Sequence, residues 1–184
     1  MKNPVPLFAS DNNGVLIDLP AVASTTASSL NGSMIFGIGT QANNQFVPGS
    51  VLTSNSSGYF SSVFAGQNLG NSFIDTGSNG LFFDSGAIPL CVYPAVGFYC
   101  PFLPTNLSAT LVGTNAVTVP ISFVVDNGVA LAGNYPHAVL PALAGPIGDA
   151  SIFDWGLPFF YGRKVFVGIQ GQSSVLGTGP FYAF

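Results

Sequence analysis

The 184-residue sequence contains no glutamate, and its basic residues are only Lys2, Arg163 and Lys164. Charged residues make up 5% of the chain, against about a quarter in an ordinary soluble domain. Seven aspartates set the net charge at -4 and the pI near 4.2. That balance excludes nucleic-acid binding through counterion release, which needs a basic surface. So little charge in a chain that is 48% hydrophobic also excludes disorder driven by self-repulsion. One histidine and two cysteines make no credible metal-ligand set, and no cofactor is expected. Long apolar runs are missing as well. Despite a mean hydropathy of +0.52, every run is cut by Gly, Pro, Asn or Ser before the roughly 18 residues of a membrane span. The N-terminal "MKNPVPLFAS" has no sustained apolar region and does not read as a signal peptide. Solubility must then come from Ser, Thr, Asn and Gln, a pattern that suits an extracytoplasmic β-protein.

Helical periodicity is scarce, apart from a short turn expected between Asn134 and Ala144 and limited by Pro136 and Pro141. Strand signals are abundant. "GVLIDLP" (Gly14 to Pro20), "GSMIFGIGT" (Gly32 to Thr40), "GYFSSVFAG" (Gly58 to Gly66), "SFIDTG", "NGLFF", "ATLVGT", "VTVPISFVV", "SIFDWG" and "GRKVFVGI" are short β-rich runs bounded by turn residues. They outline an all-β domain of mostly antiparallel strands. Pro120 places Thr118 to Val125 at an edge or a bulge, and "DNG" at Asp126 to Gly128 matches a tight hairpin turn. Residues 21 to 31 read as an exposed loop. Length alone does not separate one compact unit from one half of a bilobal protein.

Cys91 and Cys100 bracket a loop containing Pro94 and Gly97. Two readings stand: a disulfide clip, or two separate buried thiols.

The stretch that carries chemistry is "FIDTGSNGLFF", Phe73 to Phe83. A strand would deliver Asp75 into a loop where Gly77 permits close backbone approach. Thr76 and Ser78 offer hydroxyls that can bond a carboxylate. Asp-Thr-Gly alone is a common turn composition. An ordinary surface turn, however, has no need of Phe73, Ile74, Leu81, Phe82 and Phe83.

Apolar-apolar-Asp-Thr-Gly-Ser followed by apolar residues resembles the active-site loop of pepsin-like and retroviral aspartic peptidases, in which each lobe or subunit contributes one Asp. "GSMIFGIGTQ" and "VPGSVLTSNSSGYFSSVFAG" are similar in order and spacing to the strands that lead to that loop in a pepsin C-terminal lobe. "SIFDWGLPFFYGRKVFVGI" resembles the closing signature of such a lobe, with Gly156 as the loop glycine, Phe159 as the following core residue and Val165-Phe166 as the strand. The chain also looks like the C-terminal half of a bacterial family of exported, pepsin-like proteins of unassigned function. The resemblance implies one all-β lobe over residues 1–184, closed-barrel-like, with at most one or two short helices, and an extracytoplasmic location. It implies peptide or protein as substrate, and peptide-bond hydrolysis by an Asp-activated water. Asp75 would be one half of a dyad sharing a proton. Its partner would come from a companion lobe or a homodimer, so the isolated chain is expected to be a poor peptidase.

Two departures from the pattern stand out. Asp154 and Trp155 occupy positions where two apolar residues normally precede the loop glycine, and Asn79-Gly80 follows the motif. Asp154 reads either as a second carboxylate near Asp75 or as a turn acceptor for backbone amides. The turn role is favoured here because it needs no special circumstance. The rival to a peptidase is an inactive exported β-domain for binding or adhesion, presenting the aromatics of "GYFSSVF", "VGFYCPF" and "GPFYAF" to glycans or a partner, although such aromatics more often build a core. His137 lacks a nucleophile motif and reads as structural. Arg163 and Lys164 are candidates to pair with an Asp. Asn31, Asn55 and Asn106 begin glycosylation-type triplets, frequent by chance in a Ser-rich chain.

Overall fold

A computed structural model describes residues 3–23, 25–46, 49–133 and 137–184. Its strands in chain order are β1 (Gly14–Leu19), β2 (Ser33–Phe36), β3 (Val51–Thr53), β4 (Phe60–Phe64), β5 (Gln67–Ile74), β6 (Leu81–Phe83), β7 (Thr105–Val112), β8 (Thr118–Val125), β9 (Ala144–Gly145), β10 (Phe153–Trp155), β11 (Arg163–Gly168), β12 (Ser173–Ser174), β13 (Gly177–Thr178) and β14 (Phe181–Ala183). One short helix, α1 (Gly128–Ala132), and three single-turn 3-10 segments complete the described elements. The protein is therefore all-β.

Seven strands form a nearly closed, barrel-like sheet in the order β8-β7-β4-β5-β10-β6-β9, and five form a second sheet in the order β2-β1-β11-β14-β3. Pairing is antiparallel except between β5 and β10 and between β6 and β9. Local chemistry sets the hairpins. β4 and β5 are joined by Ala65-Gly66, both at positive φ, the two-residue turn whose twist matches that of the flanking strands. β8 lies at the edge of its sheet, where Pro120 costs no ladder bond.

Strand alternation distributes the core. On β1, β11 and β14, Ile17, Val165 and Tyr182 join the main cluster with Phe60, Phe64, Phe83, Phe153 and Trp155. Their neighbours Leu16, Phe166, Phe181 and Ala183 join a second cluster with Ile38. The central strands β1, β11 and β14 of the five-stranded sheet thus have apolar residues packed on both faces, while the edge strand β2 is largely exposed. The main cluster is aromatic at its centre: Phe153 stacks on Trp155 at 4.0 Å and on Phe83 at 4.6 Å between ring centroids. The Trp155 indole N–H donates to the buried Ser62 hydroxyl at 2.9 Å, satisfying the one polar atom of that side chain.

Two local expectations are corrected. "DNG" is not a hairpin turn: the Asn127 carboxamide oxygen accepts from the backbone N–H groups of Val129 and Ala130, both at 3.1 Å, and caps α1. The same Asx chemistry that favours turns serves a helix start here. The turn expected from Asn134 falls partly outside the described residues. Within the described part residues 141–142 form a turn, closed by the Leu143 N–H to the Leu140 carbonyl at 3.2 Å, Ala144 begins the two-residue β9, and the described helix lies earlier, at Gly128–Ala132.

Cys91 and Cys100 form a disulfide with Cα atoms 4.8 Å apart, flanked by backbone bonds from Cys91 N–H to Phe98 and from Cys100 N–H to Pro89. The clip pins a loop whose apolar side chains are largely outside the core. Replacing both cysteines by serine is expected to cost about 3 kcal/mol, from the unfolded-chain entropy of a short closed loop. Urea denaturation checks this, and the native chain under reductant should match the variant.

Candidate active site

β5 brings the chain to Asp75, the loop turns through residues 76–80, and the chain departs along β6. Between those two arms lies β10, from far downstream: Asp154 pairs with Phe73 on one side and Phe82 on the other. The loop is fixed at three points, two of them by this strand and the turn that follows it. The Asp75 N–H donates to the Trp155 carbonyl at 3.1 Å, the Leu157 N–H to the Ser78 carbonyl at 2.7 Å, and the Leu81 N–H to the Leu143 carbonyl at 2.9 Å. Gly156 sits where the loop crosses the strand. A Cβ there would fall 2.0 Å from the Gly80 carbonyl oxygen and 2.7 Å from that of Ser78, so only glycine permits the crossing.

The loop holds the Asp75 carboxylate by both oxygens. The Gly77 N–H donates to Oδ1 at 2.8 Å and the Ser78 hydroxyl to Oδ2 at 3.0 Å. Asp75 and Ser78 are half-buried, while Thr76, Gly77 and Asn79 are exposed. Of the two hydroxyls expected at the carboxylate, only Ser78 reaches it. Thr76 belongs to an exposed rim. A carboxylate fixed by two donors and open to water on one side can accept a proton from, or hold, a bound water.

Asp154 is not a turn acceptor. It lies within β10, only 4% exposed, because Phe153 and Trp155 take the core-facing positions and leave it on the other face, flanked in register by Phe73 and Phe82. Its Oδ1 has no hydrogen-bond partner. Burial raises its carboxyl to about 6, a hydrogen bond with the Ser78 side chain opposes the rise, and the nearby Asp75 charge adds to it. The structure therefore brings Asp75, Ser78, Gly156 and Asp154 together.

Sequence reading missed Tyr182. It lies on β14, and its hydroxyl donates to the Gly58 carbonyl at 3.3 Å. Burial pushes its phenol up, a hydrogen bond from the Ile74 backbone opposes this, and the Asp75 charge adds to the rise. The phenol thus stands behind Asp75, an adjacency set by pairing between distant strands, which no local motif announces.

Other expected participants lie elsewhere. Lys164 pairs with Asp18 at 2.7 Å. Arg163 instead donates to the Phe159 carbonyl and stacks over the Phe159 ring at 4.8 Å, with burial lowering its pKa. His137 shares a 2.6 Å hydrogen bond with Thr26. A cavity of about 520 Å³ lined by Trp155, Phe159, Tyr161 and Arg163 does not include Asp75 in its wall. Among the described residues no group of three or more His, Cys, Asp or Glu could hold a metal ion. No helix there is long and apolar enough to cross a membrane.

A family model whose description reads "Protein of unknown function (DUF3443)" matches residues 1–184. No curated protein and no solved structure matches the chain.

Two outcomes follow from this geometry. Gly156→Ala should destabilise the fold by about 3 kcal/mol, since the clash is with backbone, whereas Gly70→Ala, with nothing within 4 Å of its Cβ, should stay within about 0.5 kcal/mol of the native chain. Thermal or urea denaturation distinguishes them. Asp154 has a folded pKa above its unfolded one, so its stabilising contribution is full below about pH 4 and is lost as pH rises through about 6. The loss should be on the order of 2 kcal/mol, measured as the part of the pH 4-to-7 fall in stability that Asp154→Asn abolishes.

Proposed function

The chain belongs to the DUF3443 family, and we propose that within it this domain is one half of an aspartic-peptidase-like catalytic unit, hydrolysing peptide bonds through a water activated at Asp75. The observation that carries the reading is the carboxylate itself: one Asp, gripped by Gly77 N–H and Ser78 O–H in a loop through which β10 is threaded. The sequence resemblance to pepsin-like active-site loops predicts an Asp in a strand-loop-strand setting with Gly156 beneath it, and the geometry supports that expectation. In such chemistry one carboxylate takes a proton from water while the other protonates the leaving amine.

Thr76, Gly77 and Asn79 form an exposed rim on the loop, and a companion lobe or a second copy of the chain would complete a cleft by covering it. Peptide or protein is the substrate class this reading implies. The Cys91–Cys100 disulfide supports an oxidising, extracytoplasmic setting.

One observation favours the second reading, an inactive exported domain for binding or adhesion. Near the disulfide, Val92, Tyr93, Val96 and Phe102 are exposed, Tyr93 by 88% and Phe102 by 96%. No charged residue lies between Asp84 and Asp126.

The test is proteolysis at acid pH by the chain produced together with any sequence encoded upstream of it. Asp75→Asn should reduce the rate at least about 100-fold, the lower range for loss of a positioned acid-base group, and a statine-type transition-state mimic should inhibit the native protein. Activity that survives Asp75→Asn removes the mechanism.

A further inference from the structure

The cavity of about 520 Å³ that stands apart from Asp75 falls within the size range of small-molecule sites, roughly 300–1,000 Å³. Trp155 and Phe159, both fully buried, lie at its base, and Val22, Phe123 and Pro141 are half-buried around it. The Phe123 and Phe159 rings stand edge-on to Trp155, at 5.6 and 5.7 Å between centroids, and fix that base. Two polar side chains share the same wall, Tyr161 and Arg163. Leu19 brings them together, since it bridges Tyr161 and pairs in register with Arg163.

Arg163 carries a charge that the chain does not answer. The one ion pair among the described residues joins Lys164 to Asp18, and Arg163 has no carboxylate partner there. One of its nitrogens donates to the Phe159 carbonyl, and its guanidinium lies over the Phe159 ring at 4.8 Å. The group is thus half-buried and held in place, with its remaining N–H donors free of any described acceptor. Charges drawn out of water are normally paired, and a fixed guanidinium is shaped for the two oxygens of a carboxylate. Burial pushes the Tyr161 phenol up, so its O–H remains a second donor in that wall. Asp126 also lines the cavity but makes no ion pair with Arg163. Its Oδ1 accepts from the Asn127 N–H at 2.7 Å, so its charge is partly met within the chain.

We propose that this cavity binds an apolar monocarboxylate such as a medium-chain fatty acid, with the hydrocarbon body over Val22, Phe123 and Pro141 and the carboxylate on Arg163 and the Tyr161 hydroxyl. Binding is non-covalent, and it stands independently of the peptidase reading because Asp75 takes no part in the cavity wall.

Calorimetric titration of the native chain with decanoate, below the concentration at which it forms micelles, tests this. Decanoate should bind at one site, and decanol, equal in length but uncharged, at least about tenfold more weakly, as expected for loss of a charge-assisted hydrogen bond. Arg163→Gln should weaken decanoate by the same factor and leave decanol unchanged, whereas Lys164→Gln should change neither. Arg163 also holds Phe159, so should Arg163→Gln not fold, Arg163→Lys takes its place: it keeps the charge, loses the planar fork, and should weaken decanoate severalfold. Asp126→Asn should leave decanoate binding equal or tighter. Decanoate that does not bind, that binds no better than decanol, or that is unaffected by the Arg163 variants overturns the proposal. Tighter binding of decylammonium than of decanoate also overturns it, because the cavity would then select charge through Asp126.

Discussion

The insertion of Phe153-Asp154-Trp155 between β5 and β6 is the constraint on which the rest of the structure depends. Phe153 and Trp155 stack on each other at 4.0 Å, and the indole N–H is taken by Ser62 at 2.9 Å. Those contacts lock the register of β10, and register in a sheet decides which face each side chain occupies. From that single choice follow the bond from Asp75 N–H to Trp155, the close passage of the loop over Gly156, and the burial of Asp154 on the face away from the aromatic core. A one-residue slip would put Trp155 beside Ser78 and Asp154 into the phenylalanine cluster.

With so few charges, the chain orders its loops with amides and hydroxyls. Asn13 accepts from the Ile38 N–H at 2.8 Å and donates to the Ile38 carbonyl at 3.1 Å. Asn44 accepts from Thr40 and Gln41 and donates to the Phe36 carbonyl. Asn55 accepts from Ser57 and Tyr59. Each side chain satisfies backbone groups that would otherwise be stranded away from secondary structure. Neutral groups of this kind pay less desolvation than lysine or glutamate would at the same depth. This is how a chain at 5% charge can carry long connections between its strands.

The sequence reading located the strands and the loop well because both rest on local signals. Apolar alternation and turn residues marked β1, β4, β6, β10 and β11, and Pro120 marked an edge. Asp-Thr-Gly-Ser within apolar flanks singled out Asp75. What escaped was whatever depends on non-local pairing. The parallel pairing of β10 with β5 has no hairpin to announce it. Short strands such as β3, β9 and β14 carry too few residues for a period. Tyr182 comes to Asp75 only because β14 pairs with β11 and β3. The "DNG" turn failed for a different reason: Asn127 has the same local chemistry at a turn and at a helix cap, and burial of Leu131 beneath α1 decided between them.

Asp154 shows the same limit most sharply, since Asp in a Gly- and Pro-rich chain reads as a turn residue until its strand is placed. Once placed, it differs from Asp75 in the one respect that matters to an acid. Asp75 is half-exposed and accepts two hydrogen bonds, one of them from a backbone amide. Asp154 is closed in by two phenylalanines, with one oxygen unpartnered. Low polarity favours the neutral form of Asp154, and burial raises its carboxyl to about 6. Two identical side chains at one loop thereby meet unlike surroundings, one half-exposed and hydrogen-bonded, the other closed in. The fold creates that asymmetry by threading an aspartate-bearing strand through the loop of another aspartate, without needing a charge of the other sign.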